Sequence, residues 1–298
     1  MNQDWIGGIE TGGTKLLARI CDRSSGETIA EDRWETSSAA AALHDLAGFL
    51  MNAGDGRLVA VGMAAFGPLI IDPDSPDYGL MQATTKQGWT GSNLRTELEA
   101  AIGVAVAVDT DVNAAAIAEQ AKGAGKGLRS VAYVTVGTGI GAGLAINGQS
   151  LKGAMHPEAG HLPIIRRPDD RAPSTCQFHP HCAEGLVSGP AIRGRLGEGR
   201  ILSDDPAMME LVADYLGQLG ASLVMTWSPH LIVWGGGAIS GGPPVSLIEK
   251  RLRDVLGGYG VGPSVEQPGF CVPARLKDAG LEGALLMAGK LASERQLG

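Results

Sequence analysis

The sequence predicts an α/β protein in two mixed halves. Three observations carry this. A strand, a Gly-Thr turn and a second strand occur twice, in "WIGGIETGGTKLLARICD" from Trp5 and in "SVAYVTVGTGIGAGLAING" from Ser130. Nearly continuous apolar runs, "LVAVGMAAFG", "VAVAVD" and "LIVWGG", suit parallel strands covered on both faces. Segments of helical period separate those runs. A chain of 298 residues fits one or two domains.

In chain order, "WIGGIE" reads as a strand, "TGGT" as a turn and "KLLARICD" as a second strand. After the turn "RSSGE", "TIAEDRWET" is a third strand. Residues 39–52 are helical, with Leu43, Leu46, Ala47 and Leu50 on one face. A buried strand follows at 58–67, and a helix at 92–103 with Ser92 or Asn93 as N-cap and Gly103 as stop. "VAVAVD" is a buried strand over 104–109 and "VNAAAIAEQAKGAG" the helix after it. The hairpin pattern then returns, and "QSLKGA" continues outward. A long helix is expected over 206–227, a buried strand at 231–236, a helix near 244–256 and a last helix from about 280. Residues 1–115 are therefore read as an N-terminal domain, joined by the C-terminal helix 280–298, and residues 116–279 as a C-terminal domain.

The net charge of −8 argues against a nucleic-acid or anionic-membrane binder. The N-terminus lacks the basic and apolar regions of a secretory signal. No apolar run is long enough to span a membrane. A cytoplasmic protein is expected, and there disulfides are rare. The 45 glycines are about twice the average share and cluster beside apolar runs, as loops do where backbone approaches a ligand.

Three of those clusters follow strands directly. "ETGGTK" places Gly12, Gly13 and Thr14 at a turn with Lys15 behind them. It is not a P-loop, since the spacing differs and a strand follows. Bare amides, a hydroxyl and an ammonium there can still hold phosphate. The alternative is a plain tight hairpin. "VGTGIGAG" precedes a strand rather than a helix, so it fails as a dinucleotide fingerprint and reads better as a second phosphate-cradling hairpin around Thr138 and Gly139. "WGGGAIS" could set adenine or ribose against bare backbone at Gly236 and Gly237. Together they suggest a nucleotide clamped in a cleft between the halves. "VDTDVNAAA" ends a buried strand with Asp109, Asp111 and Asn113, where carboxylates face the crevice of open α/β sheets. Asp111 could equally cap the helix.

"HPEAGHLPIIRRPDDRAPSTCQFHPHCAEG" holds four of the chain's six histidines and two of its four cysteines, residue types that bind transition metals. With "GGIETGGTK", "VDTDVNAAAIAE", "HPEAGH", the Cys-x2-His-x2-Cys run and "EGLVSGPAI" in this order, the chain resembles the ROK family of sugar kinases and repressors, and within it the bacterial zinc-containing fructokinases. The resemblance runs from residue 7 to about 240. It implies an actin-like ATPase fold with two ribonuclease-H-like halves, Mg-ATP as donor and usually a dimer. It makes Asp111 the general base, Gly12, Gly13, Thr14 and Lys15 the first phosphate loop, and Thr138 and Gly139 the second. Gly236 and Gly237 become the adenosine motif, with Pro190 near the nucleotide. Glu158, His161 and Glu184 line the sugar site, and Asp109 and Asn113 are further candidates there. Glu10 stands where many members have aspartate. "TTKQGW" resembles the family's substrate-side "T-P-K-x-G-W", with Thr85 in place of proline.

Cys176, His179 and Cys182, with His161 upstream, then form a closed structural Zn2+ site. His156 and His181 are spares, and whether His161 meets zinc, sugar or both is left open. A Cys176–Cys182 disulfide and chance histidines are the alternatives. Zinc would pin a loop containing Pro163, Pro168, Pro173 and Pro180, costly to order otherwise, and so hold Glu158 and Glu184. A repressor would carry a helix-turn-helix ahead of the phosphate loop, and a sensor would have lost Asp111 or the loops. The expected activity is ATP-dependent phosphorylation of a hexose, fructose first, with mannose, glucose and N-acetylated amino sugars as alternatives.

Overall fold

A computed structural model describes residues 4–297. It divides into two compact units: residues 1–118, 150–156 and 276–298, and residues 119–149 and 157–275. Residues 150–156 go with the first unit, although the sequence boundaries put them in the second domain.

In the first unit, β1 (Trp5–Thr11), β2 (Lys15–Asp22) and β3 (Thr28–Glu35) form an antiparallel meander. Helix α1 (Ala39–Gly54) leads to β4 (Leu58–Ala65), and α2 (Leu94–Ile102) leads to β5 (Val106–Thr110). Both strands add in parallel to give the order β3-β2-β1-β4-β5. Helix α1 starts where Ser38 accepts from the Ala41 amide, and α2 where Asn93 accepts from Thr96. Gly103 then ends α2 in the left-handed conformation. Asp111 opens α3 (Asp111–Ala121) directly after β5.

The alternation of β4 shows how the sheet is covered. Val61, Met63 and Ala65 point into a core shared with α1 and α2. Ala60 and Ala64 point to the other face, against α10 (Ala279–Leu297). That helix lies so close that a methyl group on Gly62 would overlap the Ala284 carbonyl.

The second unit repeats the pattern. The hairpin β6 (Ser130–Val136) and β7 (Ile140–Ile146) is followed by β8 (Gln149–Ser150). After the long loop come α4 (Ala183–Val187), α5 (Gly189–Leu196) and α6 (Pro206–Trp227). Strand β9 (Ile232–Gly235) runs parallel to β6, and α7 (Gly237–Ser240), α8 (Val245–Leu256) and α9 (Pro263–Glu266) precede β10 (Cys271–Pro273). The order β10-β9-β6-β7-β8 mirrors the first sheet: one hairpin with two parallel strands beyond its first strand. The two hairpins read from the sequence are thus the corresponding pieces of two similar sheets. Among the described residues, no helix is long and apolar enough to cross a membrane.

The close approach of α10 makes a prediction. Gly62→Ala should cost about 1–3 kcal/mol, because backbone rather than a movable side chain meets the new methyl. Gly48→Ala, in α1 with nothing within 4 Å of its Cβ, should be neutral or stabilising. Urea unfolding with equal midpoints for the two variants would contradict this packing.

Candidate functional site

In the first unit, the turn from Gly12 to Thr14 is tied back by its carbonyls. The Gly12 carbonyl accepts from Thr36 Oγ1 at 2.7 Å and the Thr14 carbonyl from the Thr36 amide at 3.1 Å. The Gly13 carbonyl accepts from Lys86 Nζ. Gly12 N–H is spent on the Lys15 carbonyl at 2.8 Å. Among the described residues, the amides of Gly13 and Thr14 have no partner. The turn therefore presents donors while its acceptors are engaged, as an anion site requires. Lys15 reaches Asp278 at 3.8 Å with its side chain 47% exposed. Glu10 accepts from the Leu281 amide at 3.1 Å, and burial pushes its carboxyl up.

In the second unit the turn between β6 and β7 is built alike. Gly137 N–H donates to the Gly139 carbonyl at 2.9 Å, and the Gly137 carbonyl accepts from Gly189 at 2.7 Å. That second bond ties down the start of α5, where Pro190 sits. The amides of Thr138 and Gly139 have no partner among the described residues. The next amide, Ile140, donates to Glu184 Oε2 at 3.0 Å. Gly236, with φ +90°, lies against the backbone at Val136, so a side chain there would collide with the end of β6. Thr138, Gly139, Pro190, Gly236 and Gly237 thus gather at one end of β6 and β9.

The two aspartates after β5 have different surroundings. Asp109 is 2% exposed. Its Oδ1 accepts from the Thr110 amide and from Asn113 Nδ2, both at 2.7 Å. Its Oδ2 accepts from Ser150 Oγ at 2.5 Å, with Lys152 Nζ at 3.7 Å. Three hydrogen bonds and a nearby ammonium hold this buried carboxylate in place. Asn113 is fully buried beside it. Asp111 is half-buried at the first turn of α3, with Oδ1 accepting from the Val112 amide at 2.8 Å. Ser150 and Lys152 escape sequence reasoning, because nothing local links them to Asp109, 41 residues before Ser150.

The His/Cys cluster converges. One ligand atom each from His161, Cys176, His179 and Cys182 lie within 4.8 Å of one another. Cys176 Sγ is 3.7 Å from Nδ1 of both histidines. Two thiols and two imidazoles are a donor set suited to Zn2+. Burial pushes the Cys182 thiol up to about 11, so a thiolate there needs a nearby cation. The four cysteines are free, with no disulfide. His156 lies elsewhere, accepting from the Leu69 amide at 3.2 Å, and the ring of His181 is outside the cluster. Cys182 also caps α4, accepting from Gly185 at 3.3 Å, which puts Glu184 in the first turn of that helix. Glu184 Oε1 lies 3.9 Å from His161 Nε2. Burial, then the charge of Glu184, push Glu158 up to about 7.

The loop that carries these ligands has a second anchor, absent from the sequence expectations. Asp170 accepts from Arg195 Nη1 at 2.5 Å, Tyr215 Oη at 2.9 Å and the Ala172 amide at 3.2 Å, with Arg166 at 3.2 Å. Burial raises its pKa, but those partners outweigh burial and hold it at about 2.

Two strand-flanked turns with free amides recur in two similar sheets, an arrangement able to receive anions. Comparison with known proteins gives the class. Residues 6–290 match the model of the ROK family. A fructokinase from Zymomonas mobilis is 36% identical over 299 residues, covering 97% of each chain. A fructokinase from Pediococcus pentosaceus is 31% identical over 292 residues, covering 95% of this chain and 97% of its own. The ROK hexokinase from Thermus thermophilus superposes with a TM-score of 0.75 at 27% identity, covering 97% of this chain and 99% of that one. A ROK glucokinase from Streptomyces griseus, in complex with glucose and AMPPNP, gives a TM-score of 0.69 at 25% identity, covering 96% and 99%. The fold is thus the actin-like ATPase fold of the ROK kinases. The chain belongs to the ROK family, and within it to the sugar kinases.

The Asp170 anchor is testable by stability. Asp170→Asn leaves Arg195 buried without its counter-charge, and Arg195 Nη2 already lacks a partner. The substitution should cost about 3 kcal/mol in denaturant unfolding. The folded pKa is depressed, so the wild-type advantage is full above 3.8 and is lost as pH falls through about 2. A cost independent of pH across that window would mean that the carboxylate's charge is not what holds the loop.

Proposed function

We propose that this sugar kinase transfers the γ-phosphoryl group of Mg-ATP to D-fructose, giving ADP and D-fructose 6-phosphate. The observation that carries the phosphate half of this reading is the pair of turns with free amides, Gly13 and Thr14 in one unit and Thr138 and Gly139 in the other. Backbone donors of this kind stabilise charge on phosphoryl oxygens without reorganising. Fructose is supported by the relatives named fructokinase at 36% and 31% identity. Mannose, glucose and N-acetylated amino sugars are the competing acceptors.

Asp111 is the general base of this proposal. A sugar hydroxyl is almost un-ionised at neutral pH, and a carboxylate in reach takes its proton as the new O–P bond forms. The bond from the γ-phosphorus to the bridging oxygen breaks, and its electron pair leaves on ADP. Asp109 is engaged by Thr110, Asn113 and Ser150, with Lys152 nearby, so this proposal assigns the proton to Asp111, the other carboxylate of that strand end and the one the family resemblance makes the base. Glu158, His161 and Glu184 are proposed on the sugar side, and Pro190, Gly236 and Gly237 on the nucleotide side. Mg2+ would arrive with the nucleotide and neutralise phosphate charge. Zn2+ would be held by His161, Cys176, His179 and Cys182 as a structural ion. It would fix the turn from which α4 presents Glu184.

A coupled ADP-release assay over a panel of hexoses tests the acceptor. Fructose should give the highest kcat/KM, and a higher value for another hexose would replace fructose in this reading. Asp111→Asn should fold, bind sugar and ATP, and lose about two to four orders of magnitude in turnover. Asp109→Asn is the comparison, with its larger effect on melting temperature. Near-normal turnover in the Asp111 variant would remove it as the base. Metal analysis should find about one Zn2+ per chain, and Cys176→Ser should lower metal content and stability together. A zinc-free preparation with an unchanged melting temperature would rule out a structural ion.

A further inference from the structure

The geometry points to Lys86 as a catalytic cation of the first phosphate turn, placed to neutralise charge on the phosphoryl group in flight. The inference rests on the kinase reading and adds to it a residue from the segment "TTKQGW", which the family resemblance sets on the sugar side.

Three observations carry it. Lys86 Nζ donates to the Gly13 carbonyl, so the ammonium lies beside the residue whose own amide is free. That contact uses one of three ammonium donors. Among the described residues no carboxylate lies within ion-pair distance of Lys86, unlike Lys15, which reaches Asp278 at 3.8 Å. A half-buried ammonium bonded only to a carbonyl keeps its full charge for an anionic ligand. Lys15, the lysine that the motif itself suggests, points at a carboxylate.

The placement is also rigid. Lys86 N–H donates to Thr84 Oγ1 at 3.3 Å, and the Lys86 carbonyl accepts from Trp89 at 3.4 Å. Trp89 is 1% exposed, packs edge-on against Phe66 at 4.7 Å between ring centroids, and donates Nε1–H to the Ser37 carbonyl at 2.7 Å. The Gly88 carbonyl accepts from Ala39 at 3.1 Å, which fixes the same turn to the start of α1. A buried tryptophan three residues along therefore fixes the backbone from which the lysine reaches the turn.

The chemistry needs such a group. As the sugar oxygen bonds to the γ-phosphorus and the bridging oxygen leaves with its electron pair, negative charge spreads over the transferring oxygens and the ADP leaving group. An ammonium fixed beside two free amides lowers the energy of that state more than that of bound ATP, and its own proton stays in place.

The test is Lys86→Met and Lys86→Arg beside Lys15→Met, with turnover at saturating ATP and sugar, and ADP and fructose affinities by calorimetry. Lys86→Met should lower turnover about 10²- to 10³-fold. ADP and fructose affinities should stay within about threefold, because neither ligand carries the γ-phosphoryl group. Lys86→Arg should recover part of the loss, and Lys15→Met should cost much less. Turnover within about threefold of wild type in Lys86→Met would overturn the inference. So would a loss appearing wholly as weaker fructose binding, which would return Lys86 to the sugar side. If the wild type transfers no phosphoryl group from ATP to any hexose, the kinase reading falls and this inference falls with it.

Discussion

Everything proposed for the phosphate chemistry depends on one constraint on backbone hydrogen bonding. A tight turn between two strands tends to close on itself, each carbonyl finding a neighbouring amide. In both units that closure is incomplete in the same sense. Side chains and distant amides take the carbonyls: Thr36 and Lys86 in one turn, Gly189 in the other. The amides of Gly13, Thr14, Thr138 and Gly139 are left over. An unpaired amide costs little while water can reach it, and binds strongly when an anion replaces that water. The glycines permit the approach, but the tied carbonyls give it a sign.

The long loop of the second unit faces a different constraint, the entropy of ordering many residues with few apolar groups. Two polar clusters hold it at separate points. One is the His/Cys cluster near α4, and the other is Asp170 with Arg195 and Tyr215 from α5 and α6. The same arginine donates Nε–H to the Leu186 carbonyl of α4 at 3.0 Å. The Asp170 anchor therefore also bears on the helix that presents Glu184. Glu184 in turn accepts from Ile140, at the foot of the turn between β6 and β7. A chain of direct contacts within one unit links the loop to the turn between β6 and β7.

Much of this was legible in the sequence where the signal is local. The helix at 206–227 was readable from periodicity and has those bounds, since Asp205 caps it and Pro206 starts it. The two hairpins were readable because glycine clusters interrupt apolar strands. Cys176, His179 and Cys182 were readable from spacing and His161 from the family resemblance, and the four side chains do converge. Helices α4 and α5 were not, because five and eight residues give too little periodicity and α4 is capped by a thiol rather than by Ser, Thr, Asn or Asp. Ser150, Lys152, Asp170 and the contact Lys86 makes with Gly13 were invisible for another reason. Each involves a contact 25 to 73 residues away, as Asp170 with Arg195 and Lys86 with Gly13 do, and no period or spacing encodes such a pair.

Asp109 and Asp111 show how far identical side chains can diverge on one turn of chain. Spacing alone left both open as the base or as structural groups. The strand end decides between them. Asp109 is the penultimate residue of β5, so its side chain turns into the protein, where a buried carboxylate survives only with its lone pairs satisfied. Asn113, one helical turn further on, and Ser150 meet that need. Asp111 begins α3, half-buried, with its Oδ1 accepting from the Val112 amide. The buried acid fixes the corner between strand and helix, and the corner aims the half-buried one. Asp109 is committed to these partners, and the proposal therefore puts the proton acceptor at the other carboxylate, Asp111.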